Sequence, residues 1–185
     1  VWRILGVFPT DDGTGKIENR IKLIRNESAL SQYWDKNITN NWTTSSLKTE
    51  LNETYYTNLS TGAKNMVSNA KYYLGGYNTS KIQKDVMYQY ERKTSGSTYY
   101  YGTNPNSWVG KIALMYASDY GYAANDECTQ TLYNYDNTTC INNNWLHNIK
   151  TTEWILPQDA NYSDAAFHVE KTGKFHFDDD CGGVY

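Results

Sequence analysis

The chain has 185 residues, a formal net charge of −3 at pH 7 and only 20% charged residues. No basic surplus is present to neutralise phosphates, which argues against nucleic acid as a partner. No apolar run approaches the ~20 residues that span a membrane, so we expect membrane anchoring only through a segment absent from this chain. The length predicts a single domain over residues 1–185. Because the chain starts without Met and ends on returning apolar residues, we expect both ends to be trimmed from something longer.

The first predicted element is a β-hairpin. Apolar and polar residues alternate over residues 1–8 and again over residues 17–25, which is typical of paired strands. Between them, residues 11–15 read Asp-Asp-Gly-Thr-Gly, a turn signal whose spacing does not match the ligand positions of an EF-hand calcium loop. We therefore interpret this stretch as a hairpin turn.

Two helices are predicted next. The first begins near Trp42, where Thr44 or Ser45 can cap it, and the second runs from Ser60 to Ala70. Further along, residues 86–92 fit either a strand or a helix. Residues 111–116 are predicted to form a buried strand, and residues 118–122 a turn beyond it.

A second hairpin is predicted at the end of the chain, with strands at residues 166–170 and 175–177. His168 and His176 are expected to face each other across these strands. The phenylalanines have the opposite parity, so we expect them in the core and the histidines toward solvent. The acidic run at residues 178–180 adds carboxylates that could join the histidines in a metal site. Exposed cross-strand histidines are usually inert, however, so we predict no metal and no cofactor.

The cysteine spacing predicts one disulfide. Cys128 and Cys140 bracket a short polar segment, a spacing that suits a bridge worth roughly 2–4 kcal/mol and lacks the C-x2-C pattern of metal sites. A disulfide indicates an oxidising compartment, so we expect an extracellular or cell-surface location. Cys181 is left over, either buried or paired with a partner outside this chain.

An aromatic loop is the predicted binding surface. Residues 95–108 are rich in Gly, Ser, Asn and Pro, which keeps the backbone at the surface, and Tyr in that context is typical of recognition loops. The alternative is that these rings fold back onto the core. The predicted ligand-binding residues, including those of the turn at residues 118–122, are Tyr99, Tyr100, Tyr101, Trp108, Tyr120 and Tyr122.

The order of elements is strands, two early helices, long loops and strands again, which predicts an α+β fold with an antiparallel sheet. Residues 2–8, 21–28 and 114–123, together with the cysteine pair and residues 144–146, resemble a group of surface and pilin-associated proteins of gut Firmicutes. Their domain is similar to formylglycine-generating enzymes and C-type lectins, so the resemblance implies a C-type-lectin-like fold. The enzymes use two cysteines in a late loop, whereas only Cys181 is late here, so that activity does not carry over.

These observations predict a non-catalytic extracellular module for binding or adhesion. Its expected partner is a glycan or protein on a host or bacterial surface. The alternative is a structural subunit, pilin-like or filament-forming, that contacts other copies of itself, because a neighbour's strand can complete an open sheet edge.

Overall fold

The computed structural model describes residues 1–148, 150–178 and 180–185, so Asp179 of the acidic run lies outside the described residues. Within these ranges, helices combine with three small antiparallel sheets, which confirms the α+β class but replaces the single expected sheet. The strands are β1 (Trp2–Asp11), β2 (Ile17–Arg25), β3 (Ala70–Tyr73), β4 (Ser107–Gly110), β5 (Glu153–Gln158), β6 (Ala166–Val169) and β7 (Phe175–Asp178). The helices are α1 (Ser46–Thr49), continued by a π-helical segment (Glu50–Tyr55), α2 (Thr61–Met66), α3 (Lys84–Glu91), α4 (Ala117–Tyr122) and α5 (Thr138–Ile141).

The N-terminal hairpin is confirmed. β1 and β2 pair from Trp2 opposite Arg25 to Asp11 opposite Ile17, with a register shift between Ile4 and Gly6. The carboxylate of Asp11 accepts hydrogen bonds from the N–H groups of Gly13 and Gly15 at 2.8 and 3.1 Å. Both glycines have a positive φ, which explains why the turn needs them.

Strand β5 separates two apolar clusters. Its side chains alternate between them and are buried on both sides, as expected for a strand covered on both faces. One cluster contains Trp34, Trp42, Leu47, Leu51, Leu74, Trp154, Leu156 and Cys181. The other contains Met87, Tyr120, Leu132, Tyr135, Ile155, Phe167, Phe175 and the cysteine pair.

The early helices are confirmed, with one boundary corrected. The Ser45 hydroxyl accepts a hydrogen bond from the Lys48 N–H at 3.1 Å and caps α1, as its position predicted. Helix α2 ends at Met66 rather than Ala70, because Val67 adopts an extended conformation and Ala70 starts β3. Residues 84–91 are helical, which decides the open choice for that stretch.

The predicted strand at residues 111–116 is wrong. The Asn52 side chain replaces a neighbouring strand: its Oδ1 accepts from the N–H groups of Lys111 and Ile112 at 3.2 and 3.1 Å. Its Nδ2 also donates to the Ile112 carbonyl at 2.8 Å. One amide side chain therefore satisfies backbone groups that a sheet would otherwise pair.

The predicted turn at residues 118–122 is also wrong, because these residues belong to helix α4. The Asp119 carboxylate accepts from the Tyr116 N–H at 2.9 Å and closes the start of the helix. Ala117 and Tyr120 face the core from this helix and are fully buried.

The C-terminal hairpin and the Cys128–Cys140 disulfide are confirmed. His168 pairs with His176 as predicted, but His168 is buried rather than exposed to solvent. Trp154 and Tyr185 cover that face, with ring centroids 5.9 and 5.2 Å from the His168 ring. Both faces of β6 are therefore packed.

Candidate functional site

The predicted binding residues do not form one surface. Tyr99 is half-buried and packs against Tyr90 and Tyr77, with ring centroids 5.2 and 6.3 Å away. Tyr100 is half-buried, and Tyr101 is exposed. Some of the aromatic side chains of the loop therefore pack against the body of the protein, in agreement with the alternative that these rings fold back onto the core.

Trp108 is mainly a packing residue. It lies in β4, half-buried, and contacts Trp42 edge-on at 5.9 Å and Tyr72 in a stacked arrangement at 5.6 Å. These contacts place the Trp108 ring at the margin of the tryptophan-rich cluster. Its position on a short strand fixes the ring against the body of the protein.

Tyr120 and Tyr122 lie on opposite sides of α4, because residues two apart on a helix point away from each other. Tyr120 is fully buried and donates a hydrogen bond to the Gly173 carbonyl at 2.8 Å, so it is not available to a ligand. Tyr122 is exposed. Of the predicted set, Tyr122 lines the groove described next.

A groove of about 390 Å³ separates the N-terminal hairpin from α3, α4 and the segment that follows the disulfide. Its aromatic lining residues are exposed by between 39% and 54%. They are Phe8, Tyr88, Tyr122 and Trp145. The remaining lining residues are Leu5, Arg92, Ser118, Asp119 and Ala123. We call this feature the aromatic groove.

Local structure explains how these rings reach the groove. Tyr88 and Arg92 are four residues apart at the end of α3, and the guanidinium stacks over the Tyr88 ring at 3.5 Å from its centroid. Trp145 is fixed through its backbone: its N–H donates to the Ala123 carbonyl at 3.3 Å. Its carbonyl accepts from Arg3 of the hairpin at 2.7 Å.

We call the polar lining residues Arg92, Ser118 and Asp119 the floor of the aromatic groove, and two of them, Arg92 and Asp119, belong to ion pairs. Glu91 is fully buried and accepts hydrogen bonds from the Ser118 N–H at 2.9 Å and from Arg92 at 3.0 Å. Burial raises the pKa of the Glu91 carboxyl to about 7, despite the opposing effect of Ser118 and Arg92. Asp119 pairs with Lys22 of β2, whose ammonium also lies 4.8 Å from the centre of the Tyr116 ring. The floor is therefore polar and nearly balanced in charge.

A second exposed feature is the outer face of the N-terminal hairpin. Six large apolar side chains share this face, each between 45% and 67% exposed. They are Trp2, Ile4, Val7, Ile17, Ile21 and Leu23. We call them the hairpin face. Contiguous apolar patches on protein surfaces are typical of interaction sites.

Polar contacts fasten the inner face of the hairpin to the body. Besides the Arg3 and Lys22 contacts, Arg20 donates a hydrogen bond to the Asn69 carbonyl. Because side chains alternate along a strand, these tethers leave the opposite, apolar face outward. The hairpin is thus one wall of the aromatic groove and also carries a surface of its own.

Sequence reasoning missed Phe8, Tyr88, Arg92 and Trp145 as site residues. The Tyr88–Arg92 spacing was the one usable signal, and it has meaning only if that stretch is helical.

Comparison with family models, curated proteins and solved structures found no match to this chain. In the described ranges, no helix has both the length and the apolarity needed to cross a membrane.

Proposed function

We propose that this chain is a non-catalytic extracellular binding module that takes a glycan in the aromatic groove. The carrying observation is a groove of about 390 Å³ with four half-exposed aromatic rings around a charged floor. Small-ligand pockets have volumes of about 300–1,000 Å³ and combine aromatic walls with a few polar groups. Sugars present both apolar C–H faces and hydroxyls, so they match this lining.

The two carboxyl groups of these ion pairs, one buried beneath the groove and one at its floor, support a binding role over a catalytic one. Glu91 is enclosed by Ser118 and Arg92, and Asp119 is held by Lys22 and by the start of α4. Each carboxyl thus has a structural role. The disulfide supports the extracellular location, since such bonds persist in oxidising compartments. The α+β class with long loops and the resemblance of the sequence support a C-type-lectin-like fold.

Replacing single groove rings tests this proposal. We expect Tyr122→Ser and Trp145→Ser each to weaken binding to a glycan array by about 2-fold to 10-fold, because an aromatic contact contributes roughly 0.5–1.5 kcal/mol. The matched control is Tyr101→Ser, which removes an exposed tyrosine of the predicted loop outside the groove.

The outcomes separate the two surfaces. If Tyr101→Ser loses binding while both groove variants bind fully, the binding site lies in the loop at residues 95–108 and not in the aromatic groove. An array on which the wild-type chain binds no glycan would overturn the ligand class. Near-ultraviolet circular dichroism of each variant verifies that the aromatic packing is intact.

The hairpin face favours a second function, self-assembly as a structural subunit. The occupant we assign to this face is a second copy of the chain. Asp11 and Arg25 share this face with the apolar side chains and lie at its opposite ends, since Asp11 pairs with Ile17 and Arg25 pairs with Trp2. A two-fold pairing of hairpin faces in opposite directions packs the apolar side chains together and sets Asp11 of each copy near Arg25 of the other.

Sedimentation velocity over a range of protein concentrations tests this assembly. We expect the wild-type chain to dimerise and the double variant Val7→Lys/Ile21→Lys to stay monomeric, because these two residues form a cross-strand pair at the centre of the face. Met66→Lys, which charges another highly exposed apolar residue on α2, should dimerise like the wild type. A wild-type chain that remains monomeric at the highest concentration contradicts the assembly.

A further inference from the structure

The C-terminal hairpin brings together three side chains that bind transition metals. His168 and Glu170 lie two apart in sequence, and His176 lies directly opposite His168, so all three point to the same face. One ligand atom from each lies within 4.8 Å of the others. From this arrangement we propose that His168, Glu170 and His176 bind a zinc ion, a property separate from the proposed function of the aromatic groove.

The chemistry of the three groups fits zinc. Two imidazoles and one carboxylate match the three-ligand zinc sites of proteins, which leave a fourth position to water or another ligand. Tetrahedral zinc with bonds of about 2.1 Å sets its ligand atoms about 3.4 Å apart. The ligand atoms, which lie within 4.8 Å of one another, therefore need to approach one another by on the order of 1 Å. Small rotations of the half-buried Glu170 and His176 side chains accomplish this.

Neighbouring contacts hold the ligands in place before the metal arrives. Trp154 and Tyr185 pack against the His168 ring, and the His176 ring lies 5.7 Å from Tyr133. The Thr172 hydroxyl donates a hydrogen bond to Glu170 at 2.9 Å. Such orienting partners are a regular part of zinc sites and raise their affinity. Glu170 and His176 are only half-buried, so the ion can enter from solvent.

The alternation of side chains along the sequence places both histidines on an exposed face, which is why no metal is predicted there. Burial of His168 against two aromatic rings changes that expectation, since the ring is now fixed in one orientation. A fixed imidazole loses less side-chain freedom on binding a metal than an exposed one.

Zinc titration of the whole chain by calorimetry, after chelator treatment and dialysis, tests the site. We expect one zinc ion per chain and a higher Tm with zinc present, because a ligand that binds only the folded state stabilises it. His176→Ala and Glu170→Gln should each weaken zinc binding by about 100-fold, since loss of an orienting partner alone costs 10–100-fold. Thr172→Val should weaken it by about 10-fold.

Two controls keep the result decisive. His147→Ala removes the third histidine of the chain and should leave zinc affinity unchanged, whereas Cys181→Ser tests whether the buried thiol is the true ligand. Affinity that survives Glu170→Gln and His176→Ala overturns the proposal, as does affinity that disappears with Cys181→Ser. Absence of a zinc-dependent heat signal in the folded wild-type chain also overturns it.

Discussion

Ionisation of the buried Glu91 carboxyl makes the stability of the folded chain depend on pH. Its carboxyl has a pKa of about 7 in the folded chain, compared with an ordinary value of 4.5, because it is fully buried. Below pH 4.5 the group is protonated in both states, so its full contribution to stability is present. As pH rises from 4.5 through 7, the unfolded chain ionises first, and we expect the free energy of unfolding to fall by up to about 3 kcal/mol.

Urea denaturation at several pH values checks this expectation. Glu91→Gln, which keeps the shape but cannot ionise, should remove that part of the pH dependence, so the difference in unfolding free energy between variant and wild type should change between pH 4.5 and 7. Glu127→Gln alters an exposed carboxylate and should leave the wild-type profile unchanged. A constant difference between wild type and Glu91→Gln across this window would show that the carboxyl is not shifted.

At the scale of elements, the sequence predicts what depends on near neighbours. Both hairpins follow from alternation and turn residues, and the Ser45 cap follows from its position before α1. The conformation of residues 111–116 could not be predicted in this way. The backbone N–H groups of Lys111 and Ile112 bond to the side chain of Asn52, which lies 59 and 60 residues earlier in the chain. A lone Asn in a helical stretch carries no local sign of such a distant role.

The aromatic groove could be predicted only in part, for the same reason. Tyr122 was identified from its surface-prone context, but the choice between exposed Tyr122 and buried Tyr120 depended on α4 being a helix rather than a turn. Phe8 and Trp145 reach the groove through the tether from Arg3 to the Trp145 carbonyl, which joins segments 142 residues apart. No periodicity in the sequence encodes that contact.

At the scale of the whole molecule, β5 separates two apolar clusters, and the disulfide lies within one of them. Cys128 and Cys140 are both buried and belong to the same cluster as Tyr120 and Tyr135. The bridge closes a loop with a sequence separation of 12, and the loss of unfolded-state entropy for such a loop stabilises the fold by about 3 kcal/mol. Alternate side chains of β5 belong to the two clusters, so we expect both clusters to unfold in one cooperative transition that loss of the bridge destabilises.

Replacing both bridged cysteines by alanine should therefore lower the urea midpoint in a single transition and raise the m value, because the uncrosslinked unfolded chain exposes more surface. Adding reductant to the wild-type chain should reproduce the lower midpoint. Cys181→Ser should keep its sensitivity to reductant, since Cys181 lies in the other cluster and outside the bridge. Two separate transitions in the double variant would instead show that the clusters unfold independently, and β5 would then not couple them.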